Sequence, residues 1–195
     1  MKRIFFLVCA IGSMSAFSQT TPLTAEVQIK TAVLAAPAMY GDEATVLGYN
    51  KDGKLVTLRE GSNGLVCLAD DPNKEGISIA CYGVELEPYM ARGRQLIDEG
   101  KSEAEKREIR KKEIDEGKLK MPEEPAMVYV LSAEDQDLDR KTGELKNSKI
   151  RYVLYKPYMS GKSTGLPTKP QAPGMPWLMD ADTHRSHIMI TPVNK

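Results

Sequence analysis

Apolar residues in this chain fall in short runs separated by polar or glycine-rich breaks, and the spacing inside each run changes along the sequence. Between Thr24 and Ala36 the positions Val27, Ile29, Ala32, Val33 and Ala36 combine alanines with mixed helical spacing. That pattern predicts a helix ending before Pro37, which cannot continue it. Residues 44–49, 55–58 and 65–68 are runs of strand formers. The breaks between them are Asn50-Lys51-Asp52-Gly53 and Gly61-Ser62-Asn63-Gly64. Asp-Gly favours a tight hairpin, so the three runs predict an antiparallel meander. A further strand, Ile77 to Cys81, returns beside the third run.

The pattern then turns helical. Glu87 to Glu99 predicts a helix with Pro88 tolerated in its first turn and Gly100 breaking it. Ser102-Glu103-Ala104-Glu105 is a capping box that restarts a helix to about Asp115, which Gly117 ends. This second helix is almost all charge. Glu103–Arg107 and Glu108–Lys112 stand at ion-pair spacing, and Ile109 and Ile114 are its only large apolar residues. It reads as a solvated helix with little core contact. Strands follow at residues 126–131, 149–155, 177–179 and 187–190, with a polar stretch over 132–148 and a proline-rich loop over 161–176. The fold class expected is α+β: a mainly antiparallel sheet with an N-terminal helix and a mid-chain helical pair.

The first residues change the picture of where the protein works. Lys2 and Arg3 precede an apolar run from Ile4 to Ile11, and Ala16 and Ser18 are small residues at cleavage spacing. Residues 1–18 therefore read as a secretory signal peptide cut before Gln19, too short for a membrane span. Cys9 follows Val8, which does not suit lipidation. Residues 19–195 then form a single α+β domain. Loss of Lys2 and Arg3 from 27 basic side chains leaves 25 against 27 acidic ones, a mature net charge of −2. That balance argues against a nucleic-acid partner. Later stretches are too polar to span a membrane. The expected location is secreted or periplasmic.

Cys67 and Cys81 remain after cleavage. An even pair in an oxidising compartment predicts one disulfide, the alternative being two buried thiols. The chain has no Cys-x-x-Cys pair for thiol exchange.

Candidate chemistry is sparse. Met159-Ser160-Gly161-Lys162-Ser163-Thr164 resembles a phosphate loop, but Lys156 occupies the place of its first glycine. Asp135, Asp137 and Asp139 have the spacing that opens a calcium loop, yet Arg140 and Lys146 stand where glycine and glutamate are needed. Asp180, Asp182, His184 and His187 place both histidines of the chain and two carboxylates within eight residues, a candidate zinc or transition-metal set. The bland alternative is a turn of capping carboxylates. Serines such as Ser62 are not singled out as nucleophiles. The sequence implies no cofactor.

Several phrases resemble a family of exported bacterial proteins of unknown function. They are Ala35-Ala36-Pro37-Ala38, Ala44-Thr45-Val46-Leu47, Gly61 to Leu68, the cysteine at Cys81 and the ending His187-Ile188-Met189-Ile190. The resemblance covers most of residues 30–192 and makes the charged helix 102–116 look like an insertion. It implies a common domain and transfers no site. The expected function is a non-catalytic binding or envelope-associated module. The alternative is a hydrolase, metal-assisted, using His184 and His187.

Overall fold

The computed structural model describes residues 21–193; the signal peptide read at 1–18 lies outside the described residues. Thr24 caps helix α1 (Ala25–Ala32) by accepting a hydrogen bond from the Val27 amide at 3.3 Å, and a tighter turn, Val33–Ala35, brings the chain to Pro37. The strands are β1 (Thr45–Tyr49), β2 (Leu55–Arg59), β3 (Leu65–Leu68), β4 (Ile77–Gly83), β5 (Ala126–Ala133), β6 (Lys149–Tyr155), β7 (Trp177–Met179) and β8 (His187–Ile190). Helices α2 (Glu87–Asp98) and α3 (Glu103–Asp115) lie between β4 and β5, and a single turn, α4 (Gly161–Thr164), follows β6. The result is α+β with one eight-stranded sheet, in the order β2-β1-β3-β4-β5-β6-β8-β7.

The meander expected over 44–68 is not what forms. β2 pairs antiparallel with β1 through the Asn50–Gly53 turn, but β3 lies on the far side of β1 and parallel to it. The crossing is tight. A Cβ at Gly61 would fall 2.2 Å from the Thr45 nitrogen, so only glycine fits there. Gly61 donates to Thr45 Oγ1 at 3.0 Å and Ser62 to the Glu43 carbonyl at 2.9 Å, which fixes the chain across the start of β1. Every other strand pair in the sheet is antiparallel.

The sheet buries both faces. On one, α1 and its following turn cover Val46, Cys67, Ile79, Cys81 and Leu131. Leu138, from the polar stretch after β5, joins that cluster and bridges to Leu145. On the other face, Val66, Tyr82, Leu86, Val128 and Val153 pack with Met90 of α2. Cys67 and Cys81 are directly opposed on β3 and β4, fully buried, with Cα atoms 4.0 Å apart, and are joined as a disulfide.

α1 is held to the sheet by a buried side chain. Gln28 donates from Nε2 to the carbonyls of Leu23 (2.7 Å) and Tyr49 (2.8 Å), and its Oε1 accepts from the Tyr49 amide at 2.7 Å. β3 pairs only as far as Leu47, so Gln28 takes the place of a strand partner for Tyr49. Gly48 makes room for it: a Cβ there would lie 2.5 Å from Gln28 Oε1.

The helical pair forms as the sequence implies. Pro88 sits in the first turn of α2, Gly100 takes a left-handed φ of 73°, and the Ser102–Glu105 capping box starts α3. Lys106 is the one buried residue of α3. The ion pairs differ from those the spacing suggested. Glu103 takes Lys106 rather than Arg107, Lys112 lies 3.9 Å from Glu116, and Glu113 binds Arg92 of α2 through two nitrogens at 2.7 and 2.9 Å. No helix among the described residues is long and apolar enough to cross a membrane.

Candidate functional site: the cleft between α3 and the 180–185 turn

Two loops at one end of the sheet are tied together by backbone and hydroxyl contacts. The Tyr158 amide donates to the Thr183 carbonyl and the Asp182 amide to the Met159 carbonyl, each at 2.8 Å. Ser186, wholly buried, accepts from the Met159 amide at 2.9 Å and donates to the Lys156 carbonyl. Thr183 Oγ1 donates to the Asp180 carbonyl and accepts from the Arg185 amide. This network holds Tyr158, Asp180 and Asp182 at φ values of 61°, 51° and 62°. Aspartate tolerates the left-handed region; a bulky tyrosine there is strained. Three of the four non-glycine residues with positive φ among those described thus meet at one place.

That place is a cleft of about 280 Å³ between α3 and the turn. Arg107, Glu108 and Lys111 form one wall; Asp180, Asp182 and Arg185 stand on the other, with Tyr158, Thr183 and His184 completing it. Arg185 binds Asp180 at 2.5 Å, and Lys111 binds Asp115 at 2.5 Å. Arg107, Glu108 and Asp182 form no ion pair among the described residues.

His184 is the unusual group. It is only 5 % exposed, and its Nε2 is the one buried side-chain nitrogen or oxygen among the described residues without a hydrogen-bond partner. Its ring meets Tyr89 of α2 edge-to-face at 6.1 Å, and the Arg110 guanidinium of α3 lies 4.1 Å over the same tyrosine ring. Burial, reinforced by Arg185, Arg110 and Lys111, pushes the His184 imidazole below its ordinary value, so it is neutral at pH 7.

His187 goes elsewhere. On β8 its ring stacks on Tyr155 at 4.8 Å, and Nδ1 lies 2.7 Å from the Arg185 carbonyl. It does not line the cleft. Burial lowers its pKa as well. Asp180, Asp182 and His184 are therefore brought to one cleft and His187 is not. Among the described residues no group of three or more His, Cys, Asp or Glu side chains is placed to hold a metal ion, so the four do not form the ligand set their spacing suggested.

The other sequence motifs resolve into local structure. Ser160 and Ser163 cap the single turn α4, which Gly165 ends in a left-handed conformation; the expectation of a plain loop from 161 misses this turn. Asp135 accepts from the Gly76 amide, Asp137 from Asn147, and Asp139 from the Lys141 and Thr142 amides. Ser62 donates to Glu43 at 3.2 Å, in the crossing between β2 and β3.

Sequence reasoning missed Tyr89, Arg107, Glu108, Arg110, Lys111 and Tyr158. The α3 residues were visible as a run of charge, but a solvated face and a cleft wall have the same composition. Tyr158 carried no signal at all. Family models, curated proteins and solved structures give no match to the chain.

Proposed function

We propose that this chain is an exported, envelope-associated binding module that takes a small polar ligand in the cleft between α3 and the 180–185 turn, without catalysing a reaction on it. The observation that carries the reading is His184: a buried imidazole with an unpartnered Nε2, beside strained backbone, lining a cleft. An unpaired buried polar atom costs about 1–3 kcal/mol, a cost that folding alone does not explain. The hydrolase reading loses its basis because His184 and His187 do not share a cleft. Two other concavities offer less. The groove of about 500 Å³ along 170–177 contains no titratable group, and the one beside Tyr40 and Tyr129 has its amide, Asn63, fully engaged with backbone.

Export rests on the charged and apolar opening of the sequence and fits the Cys67–Cys81 disulfide. The resemblance to exported bacterial proteins supports the same compartment and adds no site. Two measurements test the proposal. Protein recovered from the periplasm or medium of a bacterial host should have the intact mass of a chain starting at Gln19; an uncleaved Met1 in the cytosol would refute export. Amide spectra titrated with acetate, phosphate, glucose and alanyl-alanine should shift at 107–111, 158 and 180–185 for at least one of them. Shifts confined to the Tyr40–Tyr129 groove would refute the cleft.

A further inference from the structure

The charges of the cleft narrow the chemistry of its ligand, given the reading above that it is a binding site. Each wall carries both signs: Arg107, Lys111 and Glu108 on α3, Arg185, Asp180 and Asp182 on the turn. A purely anionic ligand would meet three carboxylates, and a purely cationic one three cations, and like charges at close range are strongly unfavourable. Part of the lining is already satisfied. Asp180 is held by Arg185, with both side chains partly buried at 31 % and 19 % exposure, which neutralises that pair and fixes the turn. The Lys111–Asp115 pair is exposed and weak, so Lys111 can turn to a ligand at little cost. What faces the space without an ion pair is one cation, Arg107, and two carboxylates, Glu108 and Asp182, one from each wall. His184 lines the cleft with its Nε2 buried beneath the surface.

We infer that the cleft recognises a small zwitterion, a free amino acid or a short peptide presenting both termini, with Glu108 and Asp182 taking its ammonium and Arg107 and Lys111 taking its carboxylate. The volume suits such a ligand, since about 280 Å³ lies at the lower end of small-molecule sites. Tyr158, 58 % exposed at the rim, offers a ring for the side chain or the peptide plane. The hydrogen-bonded turn holds the backbone of Tyr158 and Asp182 at the cleft before the ligand arrives, which reduces the ordering cost of binding.

The test compares alanyl-alanine with N-acetyl-alanyl-alanine and alanyl-alanine amide by amide-spectrum titration of the full mature protein. The inference predicts saturable shifts at 107–111 and 180–185 with the free dipeptide, and binding roughly tenfold weaker or worse when either terminus is blocked. Asp182→Asn and Arg107→Gln, both at exposed positions, should each weaken the free dipeptide by a similar factor with the melting temperature unchanged. Asp182→Asn should lose the distinction between the free and N-acetylated forms, and Arg107→Gln should weaken that between the free and amidated forms. Equal binding of all three dipeptides overturns the inference, as does a saturable cleft response to acetate or phosphate alone, which leaves the binding reading standing with an anion as ligand. Absence of any cleft response to every probe overturns both.

Discussion

The two ends of the sheet solve the problem of covering a β-surface in opposite ways. Under α1, the buried side-chain polar groups have partners: Gln28 satisfies both the amide and the carbonyl of Tyr49, Thr31 donates within its own helix, and the disulfide crosses β3 and β4 beneath them. Beside α3, one imidazole is left unpaired, three non-glycine residues take a positive φ, and the covering helix buries only Lys106. α1 lies on its sheet face through apolar contact. α3 is joined to the molecule by the Arg92–Glu113 pair and by Arg110 over Tyr89. On the proposed binding reading, stability and function are separated along the sheet, with the unpaired imidazole and the positive-φ turn at the end away from the α1 core.

If that division is right, the largest losses come from the first end. Reduction of the Cys67–Cys81 bond, or its replacement by two serines, should cost about 3 kcal/mol, the value for closing a loop of this length, with the melting temperature falling roughly 6–12 °C. Thermal unfolding with and without reductant measures it. An unchanged transition, or two alkylatable thiols in the unreduced folded protein, would contradict the account.

Gln28→Ala comes next. It leaves the Tyr49 amide and carbonyl and the Leu23 carbonyl without their partner, a loss on the order of 2–3 kcal/mol by denaturant unfolding. By contrast, removal of residues 101–117 with a short flexible bridge should preserve a single cooperative transition, because α3 buries one residue. A broad, non-cooperative melt in that deletion would place α3 in the core and erase the contrast.

Acid distinguishes the two ends by sign. Burial, with Asp135 and Asp71 nearby, raises the Asp70 carboxyl to about 6, despite the hydrogen bond from the Ser78 amide that opposes the rise. A carboxyl raised in the folded state favours folding when protonated, so its contribution is lost as pH rises through about 6. The two histidines are lowered, so the unfolded chain binds their protons first and stability falls as pH drops below 6.5. Asp70→Asn should therefore stabilise at pH 7.5, by on the order of 1 kcal/mol after solvent screening, with the gain disappearing near pH 4. The same variant should show a steeper loss between pH 6.5 and 5 than the parent, since nothing offsets the histidines. A gain independent of pH would show that Asp70 is not the titrating group.

Much of the α1 end was legible in the sequence. The hairpin turn at Asn50–Gly53, the helix stop before Pro37 and the paired cysteines each have a local cause. The parallel placement of β3 was not legible, because a four-residue turn rich in glycine can fold β3 back beside β2 or let the chain cross to the far side of β1; the signal that decides it is the close approach at Gly61. Gly48, a glycine amid strand formers, marked the crowded contact with Gln28 but did not name the partner. At the other end, Asp180, Asp182 and His184 were found as a cluster, though as metal ligands. Periodicity could not show that β8 begins by turning His187 onto Tyr155, away from the cleft that His184 lines.

The smallest effect tests the central claim most directly. His184→Leu removes a buried nitrogen that has no partner and keeps most of the apolar volume against Tyr89. If the imidazole is held unpaired for a ligand, the ligand-free variant should melt at the temperature of the parent or about 2–4 °C above it, each kcal/mol recovered being worth that much in a chain of this size. A structural imidazole behaves in the opposite way: a fall of several degrees in the His184→Leu melt would contradict the account.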